Sequence, residues 1–146
     1  MKRFILLAGL FLVCACSPSQ GTLDTIPIKI ETSKGSLHYT VELADEVEEV
    51  KTGLMGRRRI GKHDGMIFIA TRPGPLSFWM KNTLIPLDMI FIREDRTIAM
   101  IAANRQPGDL TKVMPDEPVI AVLELEGGKS AEIGLNEGDR ITWPTM

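Results

Sequence analysis

The stretch from Gly65 to Ile92 constrains the fold of this 146-residue chain more than any other part of the sequence. It contains three short apolar runs, 65–70, 76–80 and 87–92, and each is cut off by Pro, Gly, Asn or Asp. Because runs this short cannot form amphipathic helices, they predict three strands of one buried sheet.

Polar residues interrupt these runs at unusual places. Lys81 and Asn82 follow the second run directly, and Asp88 falls inside the third. A solvated surface segment does not need strand-forming neighbours around its charges. We therefore expect these residues to mark a site, although the pattern alone names no reaction.

The rest of the chain also reads as strands. Residues alternate with period two over 26–31 and 37–43, which predicts a hairpin, and later runs predict strands at 97–103, 119–126 and 140–143 and one helical turn at 129–133. Strands follow one another without intervening helices, so the sheet is expected to be mostly antiparallel. The predicted fold is mainly β: a small antiparallel β-barrel or sandwich with one short α-helix.

That helix is predicted directly after the hairpin. Asp45 and Glu48 have capping-box spacing, and acidic residues crowd the first turn. Val47, Val50 and Leu54 fall on one stripe at helical spacing. The spacing predicts an amphipathic helix of two to three turns.

The first fifteen residues resemble a secretory signal. Lys2 and Arg3 precede an apolar run, 4–13, that is too short to span a bilayer as a helix. The run ends in Val-Cys-Ala-Cys, which is similar to a bacterial lipobox with Cys16 as the lipidated residue. Cys14 fits this role less well, because a bulky valine precedes it. The alternative is an ordinary cleaved signal and an unanchored product.

These features predict a signal peptide at 1–15, a lipidated tether at 16–25 and a single β domain at 26–146. Ser17 rather than Asp follows Cys16, and in the Gram-negative sorting pattern that this resembles, that choice favours the outer membrane. We expect the protein on the periplasmic side of a bacterial membrane, attached through the lipid.

Composition narrows the classes of partner and cofactor. The formal net charge is −2, and loss of the signal would remove two positive charges, so the chain has no electrostatic attraction for nucleic acid. Both cysteines, Cys14 and Cys16, precede the β domain, which therefore has no disulfide, thiol nucleophile or thiolate metal site. No cofactor or metal is expected.

Several motifs carry a resemblance to a known family. They are Gly-Leu-Met-Gly-Arg at 53–57, Gly-Met-Ile-Phe at 65–68, Phe-Trp-Met-Lys-Asn-Thr at 78–83, Ile-Pro-Leu-Asp at 85–88, Pro118 with Val-Leu-Glu-Leu at 122–125, and Gly-Asp-Arg-Ile at 138–141. Over roughly 26–143 they resemble the domain of unknown function 192 family. The resemblance implies a small, mainly β, often exported protein. Since the family has no established biochemical role, the resemblance implies no function.

The residue inventory argues against most reaction classes. His38 and His63 lie in different contexts, so neither a three-ligand zinc centre nor a Ser-His-Asp arrangement has a natural set of residues. No Gly-rich phosphate loop opens a helix. An enzyme would have to use carboxylates and lysine, for example on an envelope saccharide, and we favour a non-enzymatic function.

The favoured hypothesis is a pocket for a small anionic or saccharide ligand. Its candidates combine cationic donors, an amide, carboxylate acceptors and a flat apolar wall: Arg57, Trp79, Lys81, Asn82, Asp88 and Glu124. The structural alternative is that Lys81 and Asp88 pair with each other and with backbone groups at strand ends.

Two further hypotheses stay open. In an exported protein, thioethers can bind Cu(I), and the candidates would be Met55, Met66, Met80, Met89, Met100 and Met114, although methionine is more often core filler. The arginine run Arg57–Arg59 and the proline-rich loop 104–118 could instead form a contact surface for an envelope protein.

Overall fold

The computed structural model describes residues 23–145. The predicted signal peptide, the predicted lipidation site Cys16 and most of the predicted tether lie outside the described residues. Within the described range, seven strands and two short helices follow one another as β1 (Thr25–Thr32), β2 (Gly35–Ala44), α1 (Val47–Thr52), β3 (Gly65–Gly74), β4 (Leu87–Ile92), β5 (Ile98–Arg105), β6 (Val119–Glu126), α2 (Lys129–Ile133) and β7 (Arg140–Thr142). In this range no helix combines the length and the apolar character needed to cross a bilayer.

All seven strands belong to one sheet, in the order β5-β4-β6-β3-β2-β1-β7. Neighbouring strands are antiparallel except for β2 and β3, which pair in parallel because α1 and the segment that follows it form a crossover between them. The edge strands β5 and β7 do not pair along their length: an isolated bridge joins Thr97, just before β5, to Arg140 of β7, and the sheet does not close into a barrel. The predicted mainly β fold is confirmed, as a mixed sheet.

Side chains alternate across the sheet and build a core on each face. On the central strand β6, Leu123 points into a cluster with Ile67 and Ile90, and its neighbour Val122 points into a second cluster with Phe68 and Phe91. Both clusters are almost completely removed from water. The candidate site lies at the edge of the second cluster.

The predicted strand at 76–80 is wrong. Leu76 donates its N–H to the carbonyl of Gly74 at 3.0 Å, and this tight turn around Pro75 takes the chain out of the sheet. The segment stays extended but makes a single bridge, between Phe78 and Val113, with N···O distances of 2.9 and 2.7 Å. Part of the proline-rich loop 104–118 is thereby ordered against it.

The α1 helix is shorter than predicted, and its capping box is shifted by one residue. The carboxylate of Glu49 accepts a hydrogen bond from the backbone N–H of Glu46 at 3.2 Å. Of the predicted apolar stripe only Leu54 is buried, and it lies just beyond the helix, while Val47 and Val50 are exposed. The helix lies at the rim of the sheet, where these two valines face an open cavity or solvent instead of the core.

Candidate functional site

A cavity of about 500 Å³ opens between α1, the extended segment that follows β3, and the second core cluster. Its lining combines aliphatic, aromatic, cationic and amide side chains: Val50, Lys51, Thr52, Gly53, Leu54, Met55, Phe68, Ser77, Phe78, Trp79, Lys81, Asn82, Thr83, Lys112 and Glu124. Four of the six predicted site residues, Trp79, Lys81, Asn82 and Glu124, converge here.

A tight turn presents Lys81 and Asn82 to this cavity. Met80 is buried and fixed on both sides, since its N–H donates to Asp109 and its carbonyl accepts from Thr83 at 3.1 Å. Asn82 has a φ of 55°, a left-handed conformation that asparagine tolerates better than most residues. The Asn82 carbonyl accepts from the N–H of Gly56, which joins this turn to the segment after α1.

The mouth of the cavity is cationic and aromatic. The ammonium Nζ atoms of Lys81 and Lys112 lie 5.1 and 5.9 Å from the centroid of the Trp79 ring, within the range of cation–π attraction. Neither lysine forms an ion pair with any residue in the described range, whereas Lys51 pairs with Glu48 at 2.7 Å. Two ammonium groups therefore lie beside one indole, and no carboxylate of residues 23–145 is paired with them.

The floor of the cavity holds a buried carboxyl group. Glu124 lies on β6, and its direct cross-strand neighbours are Met66 of β3 and Met89 of β4. Its side chain is buried, with only 4 % of the residue exposed. Its side chain has no hydrogen-bond partner among residues 23–145. Desolvation by burial raises the pKa of Glu124 from 4.5 to about 8, so the group is mostly protonated at neutral pH.

Apolar walls separate the mouth from the floor. Phe68 and Phe78 pack edge to face, with ring centroids 4.9 Å apart. Gly53 ends α1 with a φ of 47°, and a Cβ atom added there would come within 3.1 Å of the Phe68 ring. A glycine at this position lets the helix end directly over the aromatic wall.

Asp88 is not part of the cavity. It is fully buried on the opposite face of the sheet, where its carboxylate accepts hydrogen bonds from the N–H groups of Asn104, Gly128 and Ser130 and from the Ser130 hydroxyl, at 2.6 to 2.9 Å. Desolvation raises the pKa of Asp88, but these four hydrogen bonds outweigh it and lower the pKa below its usual value. The structural alternative expected Asp88 to bind backbone groups and to pair with Lys81. The backbone hydrogen bonds are present, but Asp88 does not pair with Lys81.

Arg57 does not line the cavity either. Its guanidinium Nη1 lies 2.7 Å from a carboxylate oxygen of Glu42, in a partly exposed ion pair. Glu42 occupies the same cross-strand row as Glu124, one strand beyond Met66. The arginine thus neutralises a neighbouring acid instead of facing the ligand space.

Sequence reasoning missed Lys112 and the aromatic wall of Phe68. Lys112 belongs to the aperiodic loop, and no local pattern indicates that this loop folds back along 76–80. Phe68 reads as an ordinary core residue. A pairing of the loop with the extended segment was the missing information, and it depends on tertiary structure.

The described lining of the cavity holds one carboxyl group and several hydrogen-bond donors. Glu124 is the single carboxyl group among its described lining residues, whereas glycoside hydrolysis ordinarily needs two. The described residues contain no group of three His, Cys, Asp or Glu side chains placed to hold a metal ion. Met66, Met80 and Met89 are buried in the second core cluster, where packing accounts for them.

Two solved structures are similar to this chain over most of its length. One, from Novosphingobium aromaticivorans, is a protein of unknown function with 40% identity and a TM-score of 0.80, covering 87% of this chain and 90% of its own. The other, from Sinorhizobium meliloti, is described as a candidate transcription regulator; it has 36% identity and a TM-score of 0.79, covering 84% of this chain and 95% of its own. No curated protein matches.

The family comparison agrees with the motifs. The sequence profile of DUF192, described as an uncharacterized ACR, matches residues 28–143, which include all seven strands apart from the first residues of β1. The chain therefore belongs to the domain of unknown function 192 family.

Proposed function

We propose that this protein is a lipid-anchored, non-enzymatic accessory protein of the bacterial envelope that binds a small anionic ligand in the cavity beside α1. One observation carries the proposal: two lysines without ion-pair partners in the described range flank an exposed indole at the mouth of a cavity of about 500 Å³. Cavities of this size are typical of small-molecule sites.

The charges favour an anion over a neutral saccharide. Trp79 alone would stack on either, but a neutral sugar would leave the ammonium groups of Lys81 and Lys112 without a counter-charge. A sulfonate, phosphate or carboxylate can accept hydrogen bonds from both, and charge-assisted hydrogen bonds are the stronger kind. The anionic group is therefore assigned to the mouth, next to the indole.

The surroundings favour an apolar body on that ligand. The six large hydrophobic side chains that are exposed in the described chain all lie in the three segments that border the cavity, namely α1, 76–84 and 106–115: Val47, Val50, Trp79, Leu84, Leu110 and Met114. Two of them, Val50 and Trp79, line the cavity together with Phe68 and Phe78, and so offer apolar contact to a ligand.

The anchor and the compartment are proposed from the sequence. The Lys-Arg start, the apolar run and the Ala-Cys pair support lipidation at Cys16, and Ser17 supports retention in the outer membrane. Leu23, the first described residue, packs against the second core cluster, and this contact supports an anchor attached on the side of the sheet that also bears the cavity. A ligand of the envelope or periplasm would be within its reach.

Calorimetric titration with naphthalene-2-sulfonate tests the binding proposal. The probe has a permanent anion and a flat apolar body, and we expect one molecule to bind per protein. Lys81→Gln and Lys112→Gln should each weaken binding about tenfold, the effect of one charge-assisted hydrogen bond.

Lys34→Gln is the matched control. Lys34 is exposed in the β1–β2 turn, at the end of β2 that is remote from α1, and its loss should change the affinity less than twofold. Absence of binding to the natural protein, or equal losses in all three variants, would contradict the proposed function.

A further inference from the structure

We propose that Glu124 acts as a neutral hydrogen-bond donor at the floor of the cavity, and that the ligand is an anion carrying an uncharged oxygen acceptor at the far end of its apolar body. This inference rests on the proposed function and deepens it, because it assigns a second ligand group. A carbonyl, ether or hydroxyl oxygen would meet the requirement at the floor.

The geometry around Glu124 leaves the ligand as the natural partner. A buried polar group is almost always hydrogen-bonded, and one without a partner is costly to the fold. Met66 and Met89 flank the carboxyl group on the neighbouring strands, and neither offers more than a weak acceptor. The Glu124 oxygens are not among the unpartnered atoms that residues 23–145 seal from water, and they are reached from the cavity that the side chain lines.

No cation in the part of the chain that the structure describes lowers the pKa of this group. The charged residues that face it are Lys51, Lys81 and Lys112 at the mouth, Glu126 two positions along β6, and Glu42 with its partner Arg57 beyond Met66. None of them contributes to the raised pKa of Glu124, whose cause is desolvation alone. At neutral pH the group is therefore mainly a donor.

This state selects between two kinds of ligand. An acceptor oxygen is bound by the neutral acid and released as the acid ionises, so its binding weakens above pH 8. A ligand ammonium group would instead favour the ionised carboxylate, so Glu124 would release its proton to the solvent and binding would tighten as the pH rises. The sign of the pH dependence distinguishes them.

Matched sulfonates provide the test. Benzenesulfonate is compared with its counterpart that carries an acetyl group para to the sulfonate. Biphenyl-4-sulfonate is compared with its counterpart that carries an acetyl group on the ring far from the sulfonate. All four keep one negative charge across the pH range, so titration of the lysines affects each pair equally. We expect the acetyl group to raise affinity about threefold to tenfold at pH 7 in at least one pair. That gain should shrink to about twofold or less at pH 9, where only about a tenth of Glu124 keeps its proton.

Two variants identify the group responsible. Glu124→Gln keeps an N–H donor that does not titrate, so the acetyl preference should persist and become independent of pH. Glu124→Met matches the flanking methionines and removes the donor, so the preference should be lost at every pH.

An absent acetyl preference in both pairs would overturn the inference, as would a preference that survives in Glu124→Met or a pH dependence that survives in Glu124→Gln. In each of these cases lysine-dependent binding of the parent sulfonates would leave the proposed function standing. If the parent sulfonates do not bind at all, the proposed function itself fails.

Discussion

Replacing Glu124 by glutamine should change how stability depends on pH. In the folded protein, burial raises the pKa of this carboxyl group from 4.5 to about 8. Below pH 4.5 the group is protonated in both the folded and the unfolded chain and has no effect on the folding equilibrium. Between these two pKa values the unfolded chain ionises while the folded chain keeps its proton, so the natural protein loses stability as the pH rises.

The size of this loss follows from the shift. One pKa unit corresponds to about 1.4 kcal/mol, so the free energy of unfolding should fall by about 1.4 kcal/mol per pH unit because of Glu124. Accumulated from pH 4.5, the cost is about 3 kcal/mol at pH 7 and about 5 kcal/mol above pH 8. Glutamine cannot ionise and does not incur this cost.

Urea denaturation of the two proteins at pH 5, 6, 7 and 8 measures the effect. The difference in unfolding free energy, variant minus natural protein, should increase by several kcal/mol across the series. The other titrating groups occur in both proteins, so their contributions cancel in the difference. A contribution of the amide that does not depend on pH shifts the difference by the same amount at every pH. A difference that stays constant from pH 5 to pH 8 would refute the reasoning, because Glu124 would then titrate normally in the folded state.

Three further substitutions test other parts of the structure. Asp88→Asn should lower the unfolding free energy by about 2–4 kcal/mol in urea denaturation, since the new amide group faces N–H donors; a loss under 1 kcal/mol would contradict this. The pKa of Asp88 is lowered, so this stabilisation should disappear in the natural protein at acid pH below its usual value of 3.8. Gly53→Ala should cost about 1–2 kcal/mol through its positive φ and its contact with Phe68, and an unchanged melting temperature would contradict that strain. Arg57→Met should cost less than about 1 kcal/mol and leave naphthalene-2-sulfonate affinity unchanged, as expected for a partly exposed ion pair with Glu42; a tenfold loss of affinity would return Arg57 to the site.

The strands that sequence predicts well are those whose pattern is local. Alternation over 26–31 and the apolar run at 119–123, which Glu124 and Glu126 follow, correspond to β1 and to β6, which is buried from both faces over most of its length. The run at 76–80 has the same local signature, yet Pro75 turns it away from the sheet. Its partner is the loop around Val113, and no local pattern records that pairing.

The same distinction applies to the site. Trp79, Lys81 and Asn82 lie within four consecutive residues, so one unusual motif is enough to predict all three as site residues. Asp88 has equally unusual neighbours but serves the fold, because a carboxylate at the beginning of a buried strand can hold the N–H groups at the start of α2. Sequence pattern alone does not separate a polar residue that satisfies backbone groups from one that faces an open cavity.

The most direct test of the binding site is a two-dimensional 1H–15N NMR titration of the full chain with 4-acetylbenzenesulfonate, following the two tryptophan indole N–H signals. Trp79 stands at the mouth of the cavity, whereas Trp143 lies elsewhere, with its ring 3.5 Å from the guanidinium carbon of Arg96. We expect the Trp79 signal to shift in a saturable way while the Trp143 signal stays in place. An unmoved Trp79 signal, or equal shifts of both, would contradict a ligand site between α1 and the Trp79–Asn82 turn.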